Sequence, residues 1–141
     1  MRVLIMGLPG TGKTTLAEAV NTRLYFRKKV LWLNADKVRE EYDDWDFSEE
    51  GRLRQSMRMR TLSAKLDADV VLIDMVAPLP IMREHIDPHI LVWVDTLKEG
   101  RFADTNKIFV PPTEYDIHVT SQDSAKWSQV VVDKILSYDR N

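Results

Sequence analysis

Short apolar runs alternate along the chain with longer segments in which apolar residues return every three or four positions. A short run between polar residues is typical of a buried strand, and the longer spacing is typical of a helix with one buried face. The runs predict strands at about 3–6, 30–33, 69–74, 90–95 and 115–119. The spaced segments predict helices at about 13–27, 37–41, 81–85 and 124–136, and one from the N-cap Ser48 to about Lys65.

Strands and helices that alternate in this way predict a parallel sheet whose crossover helices cover both faces. A chain of 141 residues is long enough for one such core but not for a second one. We therefore expect a single α/β domain over residues 1–141. It should have three layers and a five-stranded parallel sheet ordered 2-3-1-4-5.

The segment Gly7–Thr14 fits the pattern G-x-x-x-x-G-K-[ST], between the first predicted strand and the first predicted helix. This order is the context that a phosphate-binding P-loop requires, whereas a glycine-rich turn with a chance lysine is the alternative. Glycines let successive N–H groups point at phosphate oxygens, and the helix adds the positive end of its dipole. We therefore expect a P-loop NTPase fold in which ATP is bound by Gly7, Leu8, Pro9, Gly10, Thr11, Gly12, Lys13, Thr14 and Thr15.

Further candidate residues follow the other strands, because ligands of parallel α/β sheets lie beyond the carboxyl ends of the strands. Asp36 could orient an acceptor hydroxyl and accept its proton, and Arg39 could hold an anionic group. A helix N-cap and a solvated surface charge are the alternative interpretations of these two residues. Asp74 ends the third strand, where a carboxylate could bind Mg²⁺ together with the Thr14 hydroxyl. Hydrogen bonding of Asp74 to loop amides is the alternative.

Composition and charge narrow the classes of function. A net charge of −2 gives no basic footprint, so we expect no nucleic acid partner. The chain has no cysteine, which excludes disulfides and thiolate chemistry. No apolar run approaches the roughly 20 residues of a membrane span, and the first apolar run is too short for a signal peptide. We expect a cytoplasmic protein with no membrane partner, and a homodimer is left open.

Three segments besides the P-loop resemble the adenylylsulfate (APS) kinase family. Leu33–Arg39 (LNADKVR) resembles the family's L-D-G-D-N-V-R, and Phe47–Arg52 (FSEEGR) resembles F-S-x-x-D-R. Val92–Thr96 (VWVDT) resembles the V-x-V-D-T strand that leads into the family's lid. The likeness covers about residues 2–96. It implies a P-loop α/β kinase that moves the γ-phosphoryl group of Mg-ATP onto the 3′-hydroxyl of adenosine 5′-phosphosulfate (APS).

The same resemblance implies roles for the acceptor site. Asp36 and Arg39 would have acceptor-binding and catalytic roles, and Phe47 would stack on the adenine of the acceptor. Arg52 would bind the phosphosulfate group. Gln55 stands where the family has Asn, and its amide could still hydrogen-bond although it is one methylene longer.

The chain departs from the family in residues 96–112, here called the lid segment. This segment lacks clear periodicity and holds Gly100, Pro111 and Pro112, which is typical of a functional or disordered loop. The family's basic residues after the V-D-T strand are missing. Phe109 could replace the lid phenylalanine that stacks on the adenylyl base. A shortened lid would exclude water less well, so ATP hydrolysis without transfer becomes a risk.

We therefore hypothesise a small-molecule kinase that uses ATP and Mg²⁺, with APS as the leading acceptor. Lys13 and the loop amides would neutralise charge on the transferring group while Asp36 positions the acceptor hydroxyl. A kinase for another hydroxylated acceptor (nucleoside, sugar acid or polynucleotide end) would explain the lid segment better. An inactive nucleotide-binding module is a third hypothesis, and it would be favoured if Asp36 pointed away from the cleft.

Overall fold

The computed structural model describes residues 1–100 and 102–138. Five strands are present in this part of the chain: β1 (Arg2–Met6), β2 (Val30–Asn34), β3 (Val70–Asp74), β4 (Ile90–Val94) and β5 (Ile117–Val119). They alternate with α1 (Lys13–Leu24), α2 (Ala35–Tyr42), α3 (Glu49–Lys65), α4 (Pro80–Ile86), α5 (Ala103–Ile108) and α6 (Ser124–Tyr138). None of these helices combines the length and apolar character that crossing a bilayer would need.

The strands form one parallel sheet in the order β2-β3-β1-β4-β5. The register places Ile5 beside Asp74 on one side of β1 and Met6 beside Trp93 on the other. All carboxyl ends therefore lie along one edge of the sheet, where the P-loop begins. The predicted fold class and strand order are confirmed.

Helices cover the sheet on both faces because each strand sends alternate side chains to opposite sides. Val3, Ile5 and Val92 of one face pack with α1 and α6, whose buried residues include Leu16, Val20, Leu24, Val131, Val132 and Ile135. On the other face, Leu4, Met6 and Ile73 pack with buried residues of α2, α3 and α4, namely Val38, Met59, Met82 and Ile86. Two apolar layers thus hold the sheet from both sides.

Several predicted boundaries differ from those of the structure. Helix α1 ends at Leu24 and not near Arg27, since Leu24 is its last buried residue and the exposed residues after it form a turn. Strand β5 begins at Ile117 and not at Tyr115, because the Leu91 N–H donates to the Asp116 side chain and not to a backbone carbonyl of an extended strand. Helix α6 extends two residues further than predicted and ends at Tyr138.

The lid segment is not wholly irregular, so that prediction was wrong for residues 103–108, which form α5. The Asn106 side chain accepts from the Gly100 N–H at 2.8 Å and donates to the Gly100 carbonyl oxygen at 3.1 Å. These two bonds join Gly100 to α5. A helix of only six residues is too short to produce a periodic pattern that sequence could reveal.

Candidate active site

Glycines allow the loop between β1 and α1 to fold as a phosphate-binding loop requires. Gly7, Gly10 and Gly12 have φ angles of 154°, 88° and 101°, which residues with side chains rarely adopt. Gly7 also passes so close to β4 that a Cβ would collide with the carbonyl oxygen of Val94. The loop leads directly into the N-terminus of α1, where free N–H groups and the helix dipole favour an anion.

The Lys13 side chain lies inside this loop. Its Nζ donates to the Leu8 carbonyl oxygen at 3.0 Å, and the Thr11 hydroxyl donates to the same oxygen at 2.8 Å. The Thr96 hydroxyl donates to the Thr11 carbonyl oxygen at 2.7 Å and so ties the loop to the end of β4. The ammonium group is therefore placed where phosphate oxygens would enter the loop.

Asp74 is a buried carboxylate at the end of β3, only 3% exposed. Its Oδ2 accepts from the Thr14 hydroxyl at 2.9 Å and from the Asn34 amide at 2.9 Å. Burial raises the pKa of this carboxyl group, against the lowering effect of those two donors and of Lys13. The two predicted metal ligands, Thr14 and Asp74, are thus neighbours. Their hydroxyl and carboxylate oxygens are of the kind that Mg²⁺ prefers.

Asp36 lies in the first turn of α2 and lines the same cavity as the P-loop. It is not the N-cap of that helix, so this alternative interpretation was wrong. Asn34 is the cap, and its side-chain oxygen accepts from the Lys37 N–H at 3.1 Å. The Asp36 carboxylate is exposed to the cavity and remains available to an acceptor.

Arg39 and Arg52 are two buried guanidinium groups in the wall of this cavity, 4% and 7% exposed. Arg39 donates to the carbonyl oxygens of Asp44 and Asp46, and Arg52 Nε donates to that of Phe47 at 2.8 Å. Within residues 1–100 and 102–138, neither forms an ion pair with a carboxylate. Burial lowers the pKa of both. Carboxylates act on them only through space, Asp44 and Asp36 on Arg39 and Asp104 on Arg52, so an anion in the cavity would add a direct ionic partner.

The loop from 43 to 48, whose carbonyl oxygens accept hydrogen bonds from Arg39, is also hydrogen-bonded to two arginines of α3. The Asp44 carboxylate accepts from Arg54 at 2.9 and 3.0 Å and from Arg58 at 3.0 Å. These hydrogen bonds hold the pKa of Asp44 well below its ordinary value. Gly51 completes the arrangement, since a Cβ there would collide with the Asp46 carbonyl oxygen. The loop carbonyls are therefore fixed before any ligand binds.

Gln55 is completely buried and lines the cavity, but its amide already has protein partners. Its Nε2 donates to the Ala35 carbonyl oxygen at 3.0 Å, and its Oε1 accepts from Arg58 at 3.0 Å. Gln55 thereby fixes the start of α2 next to Asp36. The predicted contact of Gln55 with an acceptor would use its remaining N–H.

Aromatic residues border the cavity on two sides. Phe47 and Trp45 are exposed, with ring centroids 6.5 Å apart, and the Arg39 guanidinium lies 4.3 Å from the centre of the Phe47 ring. In the lid segment the lining residue is Phe102, whereas Phe109 packs against the apolar layer formed with α2, α3 and α4 and against Arg83. The role predicted for Phe109 therefore fits Phe102 better, because only the latter reaches the cavity.

The cavity itself has a volume of about 850 Å³. The predicted residues that it brings together are Pro9, Gly10, Gly12, Lys13, Thr14, Thr15, Asp36, Arg39, Phe47, Arg52, Gln55 and Asp74. A second cavity of about 410 Å³ also adjoins the P-loop, and its lining includes Thr11, Thr15 and Trp127. Three further predicted residues, Gly7, Leu8 and Phe109, line neither of these two cavities.

Sequence reasoning did not assign a role to Asn34, Phe102 or Arg83. Asn34 could have been suspected from its place at the end of a strand, opposite Asp74 in the sheet. Phe102 lies in a segment without a pattern, and Arg83 resembles any other helical arginine. No local signal distinguishes these last two residues.

Residues 1–104 match the model of the adenylylsulphate kinase family. The chain belongs to this family. It is a P-loop kinase, and its family consists of phosphotransferases that act on an alcohol group. The resemblance seen in the sequence motifs is thereby confirmed. No curated protein matches the chain in sequence.

Solved structures share the fold at low sequence identity. The Mycobacterium tuberculosis APS kinase CysC in complex with AMPPNP and APS is 20% identical, with a TM-score of 0.82 over 96% of each chain. The shikimate kinase from Aquifex aeolicus is 13% identical, with a TM-score of 0.68 over 100% of this chain and 99% of that one. A hexameric APS kinase from Thiobacillus denitrificans is 20% identical, with a TM-score of 0.76 over 97% of this chain and 29% of that one.

Proposed function

We propose that this protein transfers the γ-phosphoryl group of ATP to the 3′-hydroxyl of APS. The observation that carries the proposal is the pair of buried guanidinium groups, Arg39 and Arg52, beside Phe47 in the cavity that also holds the P-loop. A phosphosulfate and a flat base are the groups that such a wall would bind. The similar CysC structure contains both AMPPNP and APS, which supports the same pair of ligands here.

ATP would place its phosphates in the P-loop, where Lys13 and the N-terminus of α1 meet their charge. The second cavity adjoins the loop, and its wall includes Trp127, whose Nε1 donates to the Ser121 hydroxyl at 2.9 Å. It is the space in which the adenine of the donor would fit. The two cavities would thus hold donor and acceptor next to the same P-loop.

Thr14 and Asp74 would hold Mg²⁺, whose charge would neutralise part of the charge on the phosphates. The fit rests on their adjacent oxygens and on the burial of Asp74, which a nearby cation would favour in its ionised form. Among the described residues, no cluster of three or more His, Asp or Glu offers an all-protein metal site. That is expected for Mg²⁺, which takes few protein ligands and completes its shell with phosphates and water.

Asp36 would orient the acceptor hydroxyl and accept its proton, while Arg39 and Arg52 hold the acceptor's anionic groups. Little covalent work is required of the protein, because phosphoryl transfer depends mainly on positioning and on charge stabilisation. The pre-formed loop around Arg39 supplies such positioning without reorganisation.

A second candidate is a kinase for another small hydroxylated acceptor. Asp104 of α5 lines the cavity, and an acid there suits an acceptor with a hydroxyl or cationic group facing the lid segment. Shikimate kinase and a gluconokinase from Sinorhizobium meliloti share the fold. An inactive nucleotide-binding module is less well supported, since Asp36 lines the cavity and does not point away from it.

The test is ATP turnover with Mg²⁺, with and without APS, for the wild type and for Asp36→Asn. We expect APS-dependent ADP formation that falls about 100-fold or more in the variant, as for loss of a catalytic base. Asp43→Asn is the matched control, because Asp43 is an exposed acid of the same region outside the cavity. ATP binding without APS stimulation would reject the APS assignment. Shikimate and gluconate would then be the next acceptors tried.

The hexameric relative also supports self-association of this chain. Sedimentation of the purified protein over a range of concentrations would test whether it forms a homodimer.

A further inference from the structure

Arg83 is a buried arginine for which the proposed reaction has no use. It lies in α4, is 8% exposed, and forms no ion pair with a carboxylate within residues 1–100 and 102–138. Burial lowers its pKa to about 10. A guanidinium group removed from water is costly unless hydrogen bonds compensate the lost hydration. The position of its partners therefore indicates what this residue does.

The partners are backbone carbonyl groups of two segments that are distant in sequence. Arg83 Nε donates to the Ala77 carbonyl oxygen at 3.0 Å, and Nη2 donates to those of Pro78 and Val110. Its guanidinium also lies 5.6 Å from the centre of the Phe109 ring. The Val110 N–H donates to the Pro78 carbonyl oxygen at 2.8 Å. One side chain thus joins the exit of β3 to the end of the lid segment.

Both joined segments lead to the cavity wall. Ala77 and Pro78 line the cavity, and Ala77 has a φ of 47°, which is unfavourable for a residue with a side chain. The lid segment contributes Phe102 and Thr105 to the lining of the same cavity. At its other end the Thr96 hydroxyl is bound to the P-loop. The lid segment is therefore fixed at both ends, once by the P-loop and once by Arg83.

We propose that Arg83 is a positioning residue that holds the lid segment over the acceptor cavity and so keeps water away from the transferring phosphoryl group. Arg83 acts through the backbone and touches neither substrate. When its hydrogen bonds are lost, a water molecule can take the place of the acceptor hydroxyl. ATP and water then give ADP and inorganic phosphate. The exclusion of water during transfer to APS rests on the proposed function. The hold of Arg83 on the lid segment does not rest on it.

Arg60 offers a matched control. It is half-buried in α3, and its Nη1 donates to the Ile86 carbonyl oxygen at 3.1 Å, at the far end of α4 from Ala77. It also lies 3.7 Å from Asp87 and does not line the cavity. Arg60→Met thus removes an arginine that supports the same helix without touching the lid segment. Arg83→Lys keeps the charge but replaces the two donor nitrogens, Nε and Nη2, by a single ammonium group.

The experiment compares Arg83→Met, Arg83→Lys and Arg60→Met with the wild type. Hydrogen exchange is followed at the amides of Phe109 and Val110, and ADP formation is measured with and without APS. We expect at least tenfold faster exchange in Arg83→Met and a several-fold higher ratio of acceptor-independent to APS-dependent ADP formation. Arg83→Lys should lie between Arg83→Met and the wild type. Arg60→Met should keep wild-type values of both quantities even where its melting temperature falls.

Equal exchange at these two amides in Arg83→Met and Arg60→Met would overturn the proposal, and so would faster exchange with an unchanged ratio. If the wild type does not phosphorylate APS, the proposed function fails, but the exchange rates and acceptor-independent ATP hydrolysis still decide the role of Arg83. If Arg83→Met does not fold, Arg83→Lys carries the same comparison.

Discussion

At the scale of single residues, the burial of Asp74 makes the stability of the protein depend on pH. Its carboxylate is buried at the end of β3 with two neutral donors, Thr14 and Asn34. Burial raises its native pKa above the ordinary value of 3.8, so the native state binds this proton more tightly than the unfolded chain. Its contribution to stability is therefore present at low pH and is lost as pH rises from about 3.8 through the native pKa.

The variant Asp74→Asn tests this sign. The amide oxygen can accept from the same two donors, but it carries no charge to bury. We expect the ligand-free variant to melt at the same or a higher temperature than the wild type at pH 7, with a difference that shrinks towards about pH 4. Thermal melts across this range measure it. A difference that does not depend on pH would contradict the raised pKa of Asp74. In a separate measurement, Mg²⁺-dependent stabilisation by AMPPNP should be lost in the variant.

Glycines of the P-loop are required for two different reasons, which a pair of substitutions separates. Gly7→Ala combines an unfavourable φ with a collision at Val94, so we expect a loss of about 3 kcal/mol in the free energy of unfolding. Gly12→Ala has open space around the new methyl group and should lose only about 1 kcal/mol. Denaturant unfolding of both variants gives the comparison. Equal losses would show that close packing against β4 is unimportant.

At the scale of elements, Asn34 connects β2 to both α2 and β3. Its side-chain oxygen caps α2, while its amide donates to Asp74. Ser48 at the start of α3 also caps its helix, accepting from the Gly51 N–H at 3.2 Å, but the carboxylate that its side chain meets is that of the exposed Asp46. The last residue of β2 therefore stabilises both the start of α2 and the end of β3.

This difference predicts unequal effects of two alanine substitutions. Ser48→Ala should reduce the free energy of unfolding by about 1 kcal/mol, the usual effect of losing an N-cap. Asn34→Ala should cost about 2 kcal/mol, because the hydrogen bond to a buried carboxylate is lost as well. Guanidinium denaturation of the two variants measures the difference. Similar losses would mean that the bond between Asn34 and Asp74 adds nothing to stability.

At the scale of the whole molecule, the part of the chain beyond the family match completes the core. The match ends at residue 104, yet β5 and α6 follow it and α6 packs on the same face of the sheet as α1. Ile135 is fully buried there, whereas Val130 of the same helix is exposed. The apolar layer that supports the P-loop helix therefore depends on residues that follow the matched region.

Substitutions in α6 test this dependence. Ile135→Ala should lower the free energy of unfolding by about 3 kcal/mol, as expected for a buried large-to-small change. Val130→Ala should change it by less than about 0.5 kcal/mol. Urea unfolding monitored by tryptophan fluorescence provides both values. A small loss for Ile135→Ala would indicate that the sheet and α1 are stable without α6.

The sequence by itself determined the features that depend on neighbouring residues. The P-loop was predicted because its glycines, its lysine and the flanking strand and helix are contiguous. The sheet and its strand order followed from the alternation of elements and from the motif, and Asp74 was placed correctly at the end of its strand. The approach of Asp36 and Arg39 to the P-loop followed from their positions just beyond β2 and from the family motifs, whereas that of Arg52 followed from the family motif.

Only the tertiary structure decided which distant groups meet. Asn34 binds Asp74 because β2 and β3 are paired in register, 40 residues apart in sequence. Arg83 joins Ala77 to Val110, which are distant in sequence. Phe102, and not Phe109, reaches the cavity, because α5 forms in a segment whose sequence shows no periodic pattern. Local propensity acts over a few residues, whereas these contacts depend on how crossover connections return the chain to the sheet edge. The sequence therefore reveals what neighbouring residues determine together, whereas contacts between residues far apart in the chain are determined only when the chain folds.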